Sequence, residues 1–261
     1  MHHHRSKPLF VALEGIDGTG KSLQAAHLVQ DAMKYGLRVG LYSYTRMRND
    51  RVGQVIRTLY GSGTKGQNRA WLAQSRLLKE ILYAHQAQRN LQDLGALHHY
   101  DLLICDRSAI TAFIAHPTFF GSSHIATLLI TSLEFRAVPH HAIYLHLRPT
   151  VALERIAQRS SGVWCDETAE RITAMAARYD TLRMKRWRPW ALRKVTWHSL
   201  AADTSPTQIY AQLQSVLHTI LCSEEIIHAS LQVSAHPTDG SLQPTLPMVP
   251  QRGWLDGEPS P

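Results

Sequence analysis

The segment Gly15-Ile16-Asp17-Gly18-Thr19-Gly20-Lys21-Ser22 separates an apolar run, Leu9 to Leu13, from a helical pattern that begins at Lys21. Its spacing fits G-x4-G-K-[ST], and a strand before and a helix after are the setting in which that pattern holds phosphate. Gly15, Gly18 and Gly20 permit backbone angles that turn several N–H groups inward onto phosphate oxygens. The N-terminus of the following helix adds a favourable dipole. Lys21 would reach the β- and γ-phosphates of a nucleotide and Ser22 would ligate Mg2+, with Asp17 and Thr19 completing the cradle. Such a loop serves kinases, GTPases, ATPases and switch proteins alike, so other residues must choose among them.

Charged residues elsewhere narrow the chemistry. Asp106-Arg107 closes the apolar run Leu102 to Cys105. Ligands of open α/β sheets bind at that edge of a strand. An acid there can hold Mg2+ through water, and an arginine can clamp a phosphate with two parallel hydrogen bonds. The bland alternative is a structural Asp–Arg pair at a strand end. Arg155 and Arg159 stand four apart on one helix face, either closing over phosphates or solvated. Asp17 is an acid inside an anion-binding loop. It caps the local turn or serves something other than the donor phosphates. Arg46, just after the second strand, either meets an anion or lies in solvent.

The elements that must carry these residues follow from periodicity. Strands are predicted at Leu9–Leu13, Arg38–Tyr44, Leu102–Cys105, Ala142–Leu147 and Lys194–His198. Helices are predicted over 21–35, with Gly36 as a stop, over 123–136, from Pro149 to about Arg159, over 167–186 and over 205–222; residues 50–60 and 68–97 are mostly helical in pattern. Alternation of strands and helices predicts an α/β fold, a five-stranded parallel sheet with helices on both faces.

Composition bounds the rest. The chain has 261 residues, 28 Lys+Arg and 20 Asp+Glu, a net charge of +8, and is 44% hydrophobic. That supports a real core and favours anionic partners. No apolar run approaches the ~20 residues that cross a bilayer, and no signal peptide is visible, so neither a membrane protein nor a secreted one is expected. Cys105, Cys165 and Cys222 are too few and too scattered for a disulfide framework or a zinc site, which fits a cytoplasmic protein. The histidines show no metal spacing. The basic, Trp-containing cluster Lys185 to Trp190 reads as a helix end and turn, and no nucleic-acid-binding pattern accompanies it. Six of the twelve prolines fall in 237–261. The organisation expected is a tag-like or disordered stretch over 1–7, one domain over 8–222, and a Pro-rich tail over 223–261.

The chain resembles the thymidylate kinases through several ordered pieces: Leu13 to Ser22; Thr45-Arg46 with Gly53 to Arg57; Ile81-Leu82-Tyr83-Ala84; Asp106-Arg107; Leu153 to Arg159; and Ala202 to Pro206. Together they span about residues 8–222. The resemblance implies a P-loop NTPase fold with a short lid, and transfer of the γ-phosphoryl of ATP, with Mg2+, to the phosphate of dTMP. It implies that Lys21, Asp17, Arg155 and Arg159 serve the transfer and that Ser22 and Asp106 hold the metal. It also implies that Arg46, Asp106 and Arg107 receive the acceptor nucleotide and that Tyr83 stacks on its base. The residues alone read Tyr83 equally as a core aromatic on an amphipathic helix. A homodimer is implied as well.

Four departures accompany the resemblance. Met47 to Val52 replace the family's E-P-G-G-T segment, His85-Gln86-Ala87 stand where it carries A-D-R, and the lid reads Ser160 to Glu167 without D-R-x-E. Ser108 follows Asp106-Arg107 where tyrosine is commonest, a feature similar to the E-R-S of deoxynucleoside kinases. Two alternatives therefore stand beside dTMP phosphorylation. One is a kinase for another deoxynucleoside monophosphate or for a deoxynucleoside. The other is a nucleotide-binding protein that holds ATP without transfer.

Overall fold

A computed structural model describes residues 8–44, 88–111, 113–114, 137–159, 167–184 and 190–226. Five parallel strands form one sheet: β1 (Leu9–Glu14), β2 (Val39–Ser43), β3 (Leu102–Asp106), β4 (His141–His146) and β5 (Thr196–Ala201), in the spatial order β2-β3-β1-β4-β5. The expected α/β class and five-stranded parallel sheet are therefore observed. The strands of the interior are nearly continuous apolar runs, as a sheet covered on both faces requires. Alternation along β1 divides them: Leu9, Val11 and Leu13 enter one core, Phe10 and Ala12 the other.

Among the described residues, helices α1 (Lys21–Met33), α2 (Pro149–Ala157), α3 (Ala169–Arg183) and α4 (Pro206–Ser223) flank the sheet. In α1, Ala25, Leu28, Val29 and Ala32 are buried against the larger core, the spacing of a single helix face. Each such fully buried Leu or Val contributes about 1.5–3 kcal/mol. Gly36, with φ 75°, sits three residues beyond α1, and its N–H bonds the Met33 carbonyl at 2.9 Å. The helical segment over 88–96 covers the opposite face, where Leu91 and Leu94 pack beside Tyr42, Leu97 and Leu103.

The helix starts are encoded locally. Pro149 and Pro206 occupy first-turn positions of α2 and α4, where a missing N–H costs nothing. Ser205 and Gln208 form a reciprocal capping box on α4, and Thr168 caps α3 by accepting from Arg171 N at 3.2 Å. The last strand lies later than the sequence predicts. A 3-10 turn occupies Trp190–Lys194, and β5 begins at Thr196. Leu192 and Val195 are buried, so the apolar signal there comes from a turn packed on the core and not from the strand. β5 itself is a half-exposed edge whose residues carry little apolar pattern.

Register decides what meets at the sheet's C-terminal edge. Leu13 pairs with Asp106, Ser43 pairs with Asp106 from the other side, and Glu14 pairs with Tyr144. The ends of β1, β2 and β3 therefore lie within one residue of one another, β4 runs two residues further, and the loops leaving β1 and β3 converge. Order reverses around β1, the position at which open α/β sheets bind ligands.

Candidate active site

The loop after β1 is shaped by its glycines. Gly15, Gly18 and Gly20 have φ of 144°, 84° and 82°. A Cβ on Gly15 would stand 2.7 Å from the Leu145 carbonyl oxygen of β4, and one on Gly18 would stand 2.8 Å from the Ala152 carbonyl oxygen of α2. The loop is thus braced on two sides by backbone. Gly20 ends it as the cap residue of α1 and, having no side chain, caps none of the first-turn N–H groups of that helix. Those donors and the helix dipole suit an anion.

Lys21 curls back over the loop. Its Nζ donates to the Ile16 carbonyl at 2.6 Å and to Thr19 Oγ1 at 2.9 Å, and Thr19 Oγ1 donates to Ile16 O at 3.0 Å. Burial, together with the charge of Arg107, pushes the Lys21 pKa down to about 7. A lysine so placed would gain charge beside a bound anion.

Ser22 Oγ donates to Asp106 Oδ2 at 2.5 Å, tying the first turn of α1 to the end of β3. Asp106 Oδ1 is buried with no hydrogen-bond partner among the described residues. A hydroxyl and a carboxylate side by side, one oxygen unsatisfied, are the hard oxygen donors Mg2+ prefers. The residues present fit that ion.

Arg107 follows at φ 71°, a left-handed conformation rare for a residue with a side chain. Its N–H bonds the Leu13 carbonyl at 3.0 Å, Nη1 donates to the Gly15 carbonyl at 3.0 Å, and Nη2 donates to Asp17 Oδ1. Burial disfavours charge on Asp17, but Arg107, then Lys21 and Arg171, outweigh it and hold the carboxyl below its ordinary range. Asp17 and Arg107 are thus an ion pair spanning the loop and the β3 edge. Arg171, in the first turn of α3, is a cation near this site that sequence reasoning passed over.

Sequence reasoning also missed Glu14. It is fully buried, and its carboxyl accepts from Ser108 Oγ at 2.5 Å, Thr111 Oγ1 at 2.5 Å and Tyr179 OH at 2.8 Å. Thr111 Oγ1 and Tyr179 OH are 2.7 Å apart, so Glu14 Oε2 and these two hydroxyls form a triangle of oxygens. The two hydroxyl protons fill two of these three contacts. Burial pushes the Glu14 pKa up against the opposing effect of the hydroxyls and Arg107. Tyr179 in turn stacks on Tyr144, with ring centroids 5.0 Å apart.

The two arginines part company, because α2 ends at Ala157, short of the predicted limit near Arg159, and leaves Arg159 beyond the helix. Arg155 Nη1 lies 3.5 Å from the Gly18 carbonyl oxygen, and Arg159 Nη2 donates to the buried Glu167 at 2.6 Å. Lys21, Ser22, Asp17, Asp106, Arg107 and Arg155 are therefore gathered around one loop, and Arg159 faces the residues preceding α3. Arg46 and Tyr83 lie outside the described residues, as do 1–7, the 123–136 helix, the segment 160–166 and residues 227–261. Cys105 is buried, and the described residues hold no cluster of three or more His, Cys, Asp or Glu arranged for a metal. No helix among them is long and apolar enough to cross a membrane.

Comparison with known proteins agrees with this geometry. Residues 13–189 match the thymidylate kinase family. Two curated relatives, both thymidylate kinases of Leptospira interrogans serogroup Icterohaemorrhagiae (serovars copenhageni and Lai), are each 24% identical over 179 residues, 69% of this chain and 83% of theirs. The matched region runs from the end of β1, through the phosphate-binding loop and the Asp106-Arg107 edge, to beyond α3, and this chain belongs to the thymidylate kinase family.

Proposed function

We propose that the chain transfers the γ-phosphoryl group of ATP to dTMP, giving dTDP and ADP. The observation that carries this reading is the convergence of Ser22, Asp106, Arg107 and Asp17 on one loop, with Ser22 bonded to Asp106 across 84 residues of sequence. Phosphoryl transfer needs positioning and neutralisation of charge on the equatorial oxygens more than it needs covalent chemistry. The loop N–H groups and Lys21 would hold the donor phosphates. Ser22 and Asp106 would hold Mg2+, which when bound neutralises phosphate charge. Arg107, kept charged and oriented by Asp17, would present its guanidinium to the acceptor phosphate, a planar donor pair that lysine cannot match. Arg155, beside Gly18, would supply the arginine that the loop itself lacks.

Ser108 loses its value as a sign of another acceptor. Its hydroxyl is committed to the buried Glu14, so it speaks for the core and not for the substrate. The altered segments 47–52 and 85–87 keep the choice of base as the point to test.

The experiment is ADP release from Mg-ATP with dTMP, thymidine, dUMP, dCMP, dGMP or dAMP offered singly, using Lys21→Ala as the blank. Turnover with dTMP above all others is the expected result. Preference for another acceptor would reassign the substrate, and ATP binding with silence from every acceptor would overturn transfer itself.

A further inference from the structure

Arg107 stands in a backbone conformation that costs energy, and such a residue persists only where its surroundings over-determine it. The hydrogen bonds on either side of it show what does so. Before it, the Arg107 N–H is bonded to Leu13 O of β1. After it, Ser108 Oγ donates to Glu14 Oε1 and also accepts from Ile110 N at 3.1 Å, and Thr111 N bonds the Ser108 carbonyl at 3.0 Å. At the far end of the arginine, Nη1 lies 3.5 Å from Thr111 Oγ1, whose own hydroxyl meets Glu14 Oε2. Glu14 therefore grips the Arg107 segment at two points, through its backbone neighbour Ser108 and through the Thr111 hydroxyl beside the guanidinium. The third hydroxyl on Glu14, from Tyr179, belongs to α3 and has no such link to Ser108.

We propose that Glu14 is a positioning residue for phosphoryl transfer, holding Arg107 in place through Ser108 and Thr111. The idea rests on the reading of Arg107 as the acceptor-phosphate arginine. Glu14 touches neither substrate, and its side chain is fully enclosed. Its contribution is orientation: the guanidinium that meets Asp17 and the Gly15 carbonyl is kept there before any nucleotide binds. Displacements of about 1 Å at such a group cost on the order of 10²-fold in rate. The network also assigns a use to Ser108, since a tyrosine at that position could not place a hydroxyl on Glu14 in this geometry without displacing the buried contact.

The test uses full-length protein and three variants. Glu14→Ala removes the hub. The double variant Ser108→Ala/Thr111→Val leaves Glu14 in place and severs both links to Arg107. Tyr179→Phe removes a hydroxyl from the same cluster, including its 2.7 Å contact with Thr111 Oγ1, while the bonds from Ser108 and Thr111 to Glu14 stay in place. Each is checked for folding by thermal unfolding, then measured for kcat, for KM of ATP and of dTMP, and for the Arg107 Nε–H resonance in nucleotide-free protein. The first two variants are expected to lose about 10²-fold in kcat/KM for dTMP with the KM for ATP unchanged, and to shift or broaden the Arg107 resonance. Tyr179→Phe is expected to keep both. If Glu14→Ala does not fold, the double variant carries the test.

A folded double variant with wild-type kcat/KM overturns the proposal, as does a loss of rate with the Arg107 resonance unmoved. Equal damage from Tyr179→Phe would reduce Glu14 to a core contact and overturn it too. Wild-type protein that ignores dTMP would sink the proposed reaction instead. In that case the resonance, which needs no acceptor, still decides whether Glu14 holds Arg107.

Discussion

Ser22 and Asp106, the first turn of α1 and the last residue of β3, share a hydrogen bond of 2.5 Å while the second oxygen of Asp106 lies buried without a partner. The pair is a half-satisfied oxygen site at the point where two strands and a helix meet. Asp106→Asn keeps the shape and removes the charge. The apparent affinity for Mg2+, read from the dependence of ATP turnover on free magnesium, is expected to fall by about 10–100-fold. A magnesium dependence equal to that of wild type would remove Asp106 from the metal site.

Arg155 and Arg159 are predicted to differ although they stand four residues apart, Arg155 within α2 and Arg159 just beyond its end. Arg155 lies against Gly18 of the phosphate-binding loop, and Arg159 is paired with Glu167. Arg155→Ala is expected to lower kcat by about 10³-fold, the low end for a catalytic arginine, with little change in thermal unfolding. Arg159→Ala is expected to cost about 1–3 kcal/mol of stability, because it strips a charge-assisted bond from a buried carboxyl. Equal losses of kcat in both variants, at equal stability, would contradict the division.

Lys21 is mostly neutral in the free protein at a pH of about 8, because burial and Arg107 lower its pKa to about 7. Bound phosphate favours the ammonium form, so ATP binding at that pH is expected to take up a proton. Calorimetry in two buffers of different ionisation heat measures this directly, and Lys21→Met should abolish the uptake. The same shift has a signed effect on folding. Between pH 7 and 10.5 the unfolded lysine holds the proton more tightly than the folded one, so this group makes the free protein more stable as pH rises through that window.

Glu14 should behave in the opposite sense. Its folded pKa lies above the ordinary 4.5, burial being the main cause. Below 4.5 both states are protonated and the contribution is complete. As pH rises, the unfolded chain releases its proton first, and stability drains away until the folded carboxyl ionises. Denaturant unfolding over this range should show wild type losing stability relative to Glu14→Gln as pH rises, and the carboxyl carbon resonance of Glu14 should titrate at higher pH than those of exposed glutamates. A resonance that titrates together with those exposed glutamates would refute the upward shift.

Two glycines of the loop are predicted to tolerate alanine unequally. A methyl on Gly20 meets nothing within 4 Å, so Gly20→Ala carries only the left-handed backbone cost of about 1–2 kcal/mol. A methyl on Gly18 adds a 2.8 Å collision with the Ala152 carbonyl oxygen, and backbone cannot step aside cheaply. Thermal unfolding and ATP binding should therefore suffer more in Gly18→Ala. The reverse order would mean that the loop and α2 are not in contact in solution.

The parts of the site that were legible in the sequence are those written within one short stretch. Lys21 and Ser22 follow a strand and open a helix, so their role is set by neighbours alone. Asp106 and Arg107 end an apolar run, and a parallel sheet brings such ends together. Glu14 was adjacent to the motif yet silent, because its partners Ser108, Thr111 and Tyr179 lie 94, 97 and 165 residues away and come as hydroxyls with no spacing rule. Ser108 drew notice as a departure, but only the fold shows what it touches. Arg155 and Arg159 look equivalent by helical periodicity. What separates them is the loop packed against α2 on one side and Glu167 on the other. β5 was misplaced by about two residues since an exposed edge strand carries less apolar signal than the buried turn before it.

The bracing of Gly15 by Leu145 and of Gly18 by Ala152 has a consequence for the thermodynamics of nucleotide capture. A loop free in solvent would lose about 1–2 kcal/mol of conformational entropy per residue on closing around an anion. Here that ordering has already happened during folding, because the sheet and α2 immobilise the loop from both flanks. Association with a triphosphate would then need no ordering of this loop's backbone, and the change left to the loop would be the release of the Lys21 side chain from Ile16.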